Sequence, residues 1–171
     1  MEINKMMVPF LQGDGWNIWE YTPTPLHMFA HKYGKRSFQS KIRFLLELLR
    51  GGVKIYYLSI DKTIVAYSVI AKGGGRYSFA TPEDVVIGPY YVFAEHRGKR
   101  YSELLIEQLL GSAAVKNKLA FEWIKKTNIP SLKCSEKTGF KIIASADLSR
   151  YLRRIRVRDD MDGEYYILKH V

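Results

Sequence analysis

The sequence predicts one mixed α+β domain spanning residues 1–171, with helices flanking a single sheet. Three observations support this class. Paired segments have the composition of strands, an amphipathic helix lies between two predicted strands, and the chain has no internal repeat or linker. Its 47% apolar and 26% charged residues are typical of a globular domain. We therefore expect one hydrophobic core.

The N-terminal part predicts an extended arm followed by two helical segments. Aromatic residues crowd positions 16–21, and prolines within residues 22–25 favour an extended chain there. Ser37 is a candidate N-cap for the second helix. Its apolar residues recur every three or four positions, and the helix is expected to end at Gly51 and Gly52.

The middle of the chain predicts strands. Residues 53–60 and 64–70 are rich in β-branched and aromatic side chains on either side of a short turn, which indicates a hairpin. A third strand is predicted from residue 84 to 93. Gly88 and Pro89 lie in its middle, so we expect a bulge or a gap in pairing there.

The last part of the chain predicts alternating helices and strands. An amphipathic helix follows the third strand and is expected to end near Asn117, before a short alternating strand at residues 119–123. A helical turn is predicted over residues 130–138. Two strands, at residues 140–157 and 164–168, then complete a sheet that contains a strand-helix-strand unit.

Charge and cysteine content limit the classes of function. Twenty-seven Lys and Arg against 17 Asp and Glu give a net charge of +10, which favours anionic partners. The single cysteine, Cys134, forms no internal disulfide, and the sequence has no pattern typical of a metal site. We find neither a signal peptide nor an apolar run that spans a membrane, so we expect a cytoplasmic protein.

One strand-to-helix junction combines features of an anion site. The chain turns through Arg97 and Gly98 directly into a predicted helix, whose unpaired N–H groups and positive dipole end suit phosphate oxygens. Lys99 and Arg100 in the first helical turn should each destabilise the helix by about 0.3–1 kcal/mol, because positive charge there is repelled by the helix dipole. With a bound polyphosphate the same charges would be stabilising. The alternative is an exposed basic loop that happens to precede a helix.

This junction resembles the acetyl-CoA signature of the GNAT N-acetyltransferase superfamily, Val-x-Pro-x-x-Arg-Gly-x-Gly-x-Gly/Ala. Val92, Arg97 and Gly98 match the signature. Arg100 stands at the second glycine, and Ser102 stands where the family has Gly or Ala. The resemblance implies a mixed, mostly antiparallel sheet with flanking helices and a central strand-helix-strand site for acetyl-CoA.

A second segment, residues 128–140, resembles the Asn-x-x-Ala/Ser…Glu-Lys-x-Gly-Phe helix that packs beside pantetheine in the same family. The matching residues are Asn128, Ser131, Glu136, Lys137, Gly139 and Phe140. Both motifs occur in the family order, and the resemblance covers residues 50–170. It implies that the central strand opens for pantetheine, here at Gly88 and Pro89. The residues expected to bind acetyl-CoA are Tyr91, Val92, Phe93, Arg97, Gly98, Lys99, Arg100, Tyr101, Ser102, Asn128 and Ser131.

Transfer of an acetyl group to an amine needs a proton acceptor and a proton donor for the leaving thiolate. The resemblance implies a carboxylate from the strand before the signature, for which Asp84 is the first choice and Glu83 the second. Many relatives carry a tyrosine general acid at the position of Ser135, which is therefore the candidate here. Serine is a weak acid, but a branch of the family with the same helix pattern also lacks this tyrosine.

Other reactive side chains have weaker support. His27, His31 and His96 are candidate proton shuttles, because histidine is the residue type suited to that role at neutral pH, but they have no partner at a useful spacing. Cys134 lies at a helical packing position without an activating base. Five arginines near the C-terminus form either a solvated strand edge or a clamp for an acidic acceptor. They are Arg150, Arg153, Arg154, Arg156 and Arg158.

The resemblance implies an N-acetyltransferase that uses acetyl-CoA and acts on a primary amine. From the positive charge we expect a small anionic acceptor, such as a nucleotide-linked amino sugar. Alternatives are a non-catalytic acyl-CoA-binding or regulatory module, an acetyltransferase of protein or peptide amines, and a nucleic-acid binder. The last would show steep salt dependence without acetyl-CoA, and we do not expect it. A homodimer is compatible with the sequence, which does not predict the oligomeric state.

Overall fold

The computed structural model describes residues 6–30, 38–149, 154–158 and 160–171. Its strands are β1 (Val8–Gly13), β2 (Trp16–Tyr21), β3 (Lys54–Ile60), β4 (Thr63–Lys72), β5 (Val85–Val92), β6 (Ala120–Lys125), β7 (Phe140–Leu148), β8 (Ile155–Arg158) and β9 (Tyr165–His170). The helices are α1 (Phe38–Arg50), α2 (Tyr101–Leu110) and α3 (Ile129–Lys137), with a short 3-10 turn at Ala94–His96. These elements fall into two compact units.

The first unit contains the described residues up to Ala71 together with Pro89–Tyr101. Its strands follow the order β1-β2-β3-β4-β5, with the end of β5 at one edge, and β1 to β4 pair antiparallel. The predicted hairpin at residues 53–70 is confirmed as β3 and β4. Its turn places Asp61 (φ +46°) and Lys62 (φ +63°) in the left-handed region, as a two-residue hairpin turn requires.

The predicted N-terminal arm is instead a hairpin. Strands β1 and β2 pair with Gly13 opposite Trp16, and Gly15 in the turn has φ +73°. The prediction was wrong because it followed the prolines at residues 22–25 and overlooked Asp14-Gly15, a strong hairpin signal between two apolar segments. The aromatic residues thus belong to a paired strand.

Helix α1 confirms the second predicted helix. It ends where Gly51 (φ +75°) and Gly52 (φ +83°) take up left-handed conformations, whereas Ser37 lies outside the described residues. The described start of the first predicted helix is not helical. There, His27 N donates a hydrogen bond to the Thr24 carbonyl at 3.1 Å and closes a local turn.

The second unit contains Lys72–Gly88 and Ser102–Val171. Its strands follow the order β5-β6-β9-β7-β8, in which β5 and β6 are parallel and the other pairs antiparallel. The single strand predicted over residues 140–157 is divided into β7 and β8. Ser149 N donates to the Arg154 carbonyl and Arg154 N to Ser149 Oγ, both at 2.9 Å, and these bonds connect the end of β7 to the start of β8.

Helix α2 is shorter than predicted and ends at Leu110 rather than near Asn117. The cause is Ser112, whose hydroxyl donates to the Leu109 carbonyl at 2.6 Å and accepts from Ala114 N at 3.2 Å. A side chain that binds the last turn in this way competes with helix continuation. The expected fold class is confirmed: a mostly antiparallel sheet carries helices and a β5-α2-β6 unit. No helix in the described ranges has the length and apolar character needed to cross a bilayer.

Candidate functional site

The turn before α2 is the first candidate binding feature. The chain leaves β5, passes through Ala94–His96 and enters α2 at Tyr101. Gly98 (φ +80°) and Arg100 (φ +57°) both adopt the left-handed conformation, and a Cβ built on Gly98 would have no atom within 4 Å. Because the first N–H groups of a helix have no intrahelical partner, this open turn suits phosphate oxygens.

The backbone at Arg100 explains a departure from the family signature. Glycine usually occupies this position, and glycine adopts a positive φ without a steric penalty. A residue with a Cβ in the left-handed region costs about 1–2 kcal/mol. The chain therefore keeps a turn shape that favours glycine while it places an exposed cationic residue there.

Replacing Arg100 with glycine should raise the free energy of unfolding by about 1 kcal/mol, because the left-handed strain is removed. Urea unfolding measures this change. Lys99→Gly is the matched control, since Lys99 is also exposed but has no positive φ. Glycine at Lys99 should lower stability by about 0.4–1 kcal/mol through the entropy of the unfolded chain. An Arg100→Gly variant less stable than wild type would contradict this account.

Arg97 fastens the turn to the end of β5. Its Nη2 donates to the Tyr91 hydroxyl at 3.0 Å, its Nε donates to the Val92 carbonyl at 3.3 Å, and its guanidinium lies 5.3 Å from the Tyr91 ring centre. Tyr91 and Phe93 both contact the ring of Tyr67 on β4. Arg97 therefore shapes the turn, and this role is compatible with phosphate binding by the turn as a whole.

The main-chain groups of Phe93 are already hydrogen-bonded within the protein, and its contact with acetyl-CoA stays a prediction. Its N–H donates to the Val65 carbonyl at 3.0 Å, and its carbonyl accepts from His96 N at 2.9 Å. Because successive N–H groups of a strand point in opposite directions, Val92 N–H points away from β4. Val92 is therefore the better main-chain donor for a bound ligand.

Pairing between β5 and β6 is brief. Two parallel residue pairs, Val85 with Ala120 and Val86 with Phe121, join the strands at the start of β5. Gly88 follows with φ +116°, and Pro89 has no N–H to donate. The geometry at Gly88 and Pro89 agrees with an interruption in the strand, and the insertion of pantetheine there stays a prediction.

Asp84 is held in place by one of its two carboxylate oxygens. It is buried just before β5, where Oδ2 accepts hydrogen bonds from Thr81 N at 2.7 Å and from Thr81 Oγ1 at 2.9 Å. Its carbonyl also accepts from Gly73 N at 3.0 Å, which closes the loop at residues 73–84. Within the described residues, Oδ1 has no hydrogen-bond partner. The general-base role stays a prediction, as it does for the exposed Glu83.

Sequence reasoning missed a buried carboxyl group on β6. Glu122 is 1% exposed, its Oε2 forms a short hydrogen bond with Ser135 Oγ, and its Oε1 is buried without a partner. Ser135 Oγ also donates to the Ser131 carbonyl at 3.0 Å. A hydroxyl has one proton, so a neutral Glu122 that donates to Oγ satisfies both contacts. The available signal was a charged residue in the middle of a predicted apolar strand.

Burial raises the pKa of Glu122 to about 8, although the hydrogen bond that Ser135 can donate to the ionised carboxylate opposes part of this rise. The neutral form is therefore the main one at neutral pH. The Ser135 hydroxyl is buried and hydrogen-bonded within the second unit. Its role as proton donor to the thiolate stays a prediction.

The stability of the protein should depend on pH through Glu122. Its folded pKa of about 8 exceeds the ordinary value of 4.5. The contribution of neutral Glu122 to the free energy of unfolding is therefore complete below pH 4.5 and is lost as the pH rises to about 8. Glu122→Gln cannot ionise. The unfolding free energy of this variant minus that of wild type should therefore rise across the interval and then level off. Urea unfolding at about pH 5, 7 and 9 measures this difference. The control is Glu107→Gln, because Glu107 is an exposed carboxyl group on α2. A constant difference would contradict the assignment.

Asn128 and Ser131 lie together at the start of α3. Asn128 Nδ2 donates to Ser131 Oγ at 2.9 Å, and the Asn128 carbonyl accepts from Leu132 N at 3.1 Å. The structure thus brings together two predicted pantetheine contacts, and Ser135 follows on the same helix. Cys134 is buried beside it, which agrees with a packing role.

The C-terminal arginines divide into different environments. Arg158 Nη1 contacts Asp147 Oδ2 at 3.0 Å and Arg158 Nη2 contacts Asp160 Oδ2 at 2.5 Å. The main-chain hydrogen bond from Glu164 and the contact with Arg158 hold the pKa of Asp147 below its ordinary value. Arg158 is therefore already paired, which counts against its place in a clamp. Arg154 and Arg156 are exposed, whereas Arg150 and Arg153 lie outside the described residues.

Comparisons with known proteins agree with this architecture. A family profile described as "Acetyltransferase (GNAT) family" matches residues 17–140. The Salmonella typhimurium protein yncA, solved with its cofactor acetyl-CoA, is 16% identical with a TM-score of 0.53 over 85% of this chain and 80% of that one. A Bacillus subtilis acetyltransferase in complex with CoA is 15% identical with a TM-score of 0.54 over 78% and 83%.

A Pyrococcus horikoshii protein of known crystal structure is 17% identical with a TM-score of 0.49 over 68% of this chain. The present chain spans 63% of its length. No curated protein sequence matches the chain. At these identities the likeness to solved structures concerns the fold.

Proposed function

Because the chain belongs to the acetyltransferase (GNAT) family and is thus an acyltransferase, we propose that it moves an acetyl group from acetyl-CoA to a primary amine of a small anionic acceptor. The observation that carries this proposal is the turn before α2. Gly98 leaves one side of the turn open, and the left-handed backbone at Arg100 leads into the helix N-terminus. A pyrophosphate is the ligand that this arrangement suits best.

The proposed contacts with acetyl-CoA begin at this turn. The main-chain N–H groups from Gly98 to Ser102 donate hydrogen bonds to the pyrophosphate oxygens, Lys99 and Arg100 supply positive charge, and Arg97 keeps the turn in shape. Val92 N–H points away from β4 and is the proposed main-chain partner of the acyl-pantetheine arm. Asn128 and Ser131 are the proposed side-chain contacts on α3.

The proposed chemistry assigns the first proton to Asp84. Oδ2 is held by Thr81, so Oδ1 is oriented to take a proton from the ammonium group, directly or through water. The neutral amine then attacks the acetyl carbonyl, a C–N bond forms and the C–S bond breaks. The thiolate takes up a proton that the Ser135 hydroxyl or water donates, and a serine that donates is reprotonated from water. The amide nitrogen loses its extra proton to water, and Asp84 releases its proton to solvent.

The proposed acceptor class follows from charge. A chain with net charge +10 attracts an anionic amine and repels a polyamine, so a nucleotide-linked amino sugar is the first choice. The exposed Arg154 and Arg156 leave positive charge available near the C-terminus. Amines of proteins or peptides are the alternative acceptors.

An acceptor screen tests the proposal. The chain is incubated with acetyl-CoA and separate amines, namely nucleotide-linked amino sugars, free amino sugars, polyamines and peptides, and free CoA is followed with mass spectrometry of the product. We expect CoA release and a mass gain of one acetyl group with an anionic amine. Binding of acetyl-CoA without transfer to any amine would favour the non-catalytic alternative. Absence of acetyl-CoA binding would overturn the proposal.

A further inference from the structure

Arg76 is a cationic side chain without a recorded polar partner in the described part of the chain. It lies in the loop between β4 and β5, half-buried, and its Nε is buried without a hydrogen-bond partner. Its guanidinium carbon lies 5.0 Å from the Trp123 ring centre and 5.8 Å from that of Tyr77. Among the described residues, the Arg76 side chain forms no ion pair and no hydrogen bond.

This environment leaves the N–H donors of the guanidinium without an acceptor among the described residues. Aromatic rings interact with the face of the planar group, whereas its N–H donors lie in the plane and match two oxygens of a phosphate or carboxylate. A desolvated N–H without an acceptor costs free energy, which a bound oxyanion would offset. A guanidinium that packs on aromatic rings and has no hydrogen-bond acceptor is therefore suited to bind an anion.

The surroundings hold Arg76 in position. Trp123 also packs against Tyr165, with ring centres 4.9 Å apart. The loop is closed by hydrogen bonds from Gly74 N to the Ala80 carbonyl at 2.7 Å and from Tyr77 N to the Gly74 carbonyl at 2.9 Å. These contacts fix both the loop and the ring beneath the guanidinium, so little ordering is needed when a ligand binds.

The same loop ends at Asp84, the proposed base. Gly73 N donates to the Asp84 carbonyl at 3.0 Å, so Arg76 and Asp84 belong to one closed segment of the second unit. An acceptor whose oxyanion binds Arg76 would therefore be held by the same loop that carries Asp84, the proposed acceptor of its ammonium proton.

We propose that Arg76, stacked on Trp123, binds a phosphate or carboxylate group of the amine acceptor. This inference rests on the proposed function and deepens it by naming the group that is recognised. It places acceptor recognition at a residue outside the C-terminal arginines. The bound group is an oxyanion carried by the acceptor, distinct from the phosphates of CoA.

The test uses inorganic phosphate, acetate and uridine monophosphate as probes, with the indole N–H resonance of Trp123 as readout in the full chain. Trp123→Phe assigns this resonance. We expect saturable shifts with at least one oxyanion, in the presence of saturating acetyl-CoA as well as in its absence. Comparison of phosphate with acetate distinguishes the two oxyanions. Arg76→Gln should weaken the binding at least about tenfold, the loss of one charge-assisted contact.

Arg50→Gln is the matched control, because Arg50 is an exposed arginine on α1 and its loss removes the same charge. It should leave the Trp123 shifts unchanged. Equal affinities of Arg76→Gln and wild type, or equal losses in both variants, would overturn the inference. Loss of acetyl-CoA binding in Arg76→Gln would also overturn it, since Arg76 would then bind CoA. Failure of wild type to bind acetyl-CoA would refute the proposed function separately, since the oxyanion titration is also read in the absence of acetyl-CoA.

Discussion

Gly98→Val should weaken acetyl-CoA binding at least about tenfold, or roughly 1.4 kcal/mol. The turn at Gly98 is open. The added side chain would occupy space in which we propose that the pyrophosphate lies against the backbone. Valine also disfavours the left-handed φ of +80°, so the backbone of the turn would shift. Isothermal titration calorimetry with acetyl-CoA measures the loss.

Gly15→Val is the matched control for this experiment. Gly15 has φ +73°, and a Cβ there also meets no atom within 4 Å, but it lies in the β1-β2 turn. Both variants should lose stability from backbone strain, and only Gly98→Val should lose affinity for acetyl-CoA. Equal affinities in folded Gly98→Val and wild type would place the pyrophosphate elsewhere.

Asp84→Asn should lower kcat by about 100-fold and leave acetyl-CoA affinity nearly unchanged, because general-base catalysis commonly supplies about 10²–10⁴. The amide oxygen still accepts hydrogen bonds from Thr81, so the loop keeps its shape while the proton acceptor is lost. Steady-state kinetics with an amine found in the acceptor screen measures the effect, and the pH profile of kcat should change with it.

Two further variants separate catalysis from loop structure. Thr81→Val removes the 2.9 Å hydrogen bond from Oγ1 but keeps the carboxylate, so its effect on kcat should be much smaller. Glu83→Gln tests the neighbouring exposed carboxylate. Full activity of Asp84→Asn with an unchanged pH profile would assign Asp84 to loop structure and leave water or Glu83 as the proton acceptor.

Local sequence signals predicted much of the architecture. The β3-β4 hairpin, α1, the strand-to-helix turn and α3 each have their own alternation, cap or glycine stop within a few residues. Such elements are set by short-range backbone and packing preferences. The N-terminal hairpin was predictable as well, because Asp14-Gly15 is a local signal that was given too little weight.

Other features could not be predicted from the residue pattern. Helix α2 ends early because Ser112 binds the last turn, and β9 lies between β6 and β7, which no local pattern specifies. The left-handed φ of Arg100 was also hidden, since arginine is not a residue that marks such a conformation.

The sequence by itself determined the class of fold, the acetyltransferase family and the location of the turn before α2, because each depends on residue types at fixed short spacings. Only the tertiary structure decided the partners of the buried and half-buried polar groups. Glu122 meets Ser135, and Arg76 meets Trp123, across 13 and 47 positions of the chain respectively. Desolvation and hydrogen bonding at such contacts depend on which strands and loops fold against one another, and this information lies in the packed structure.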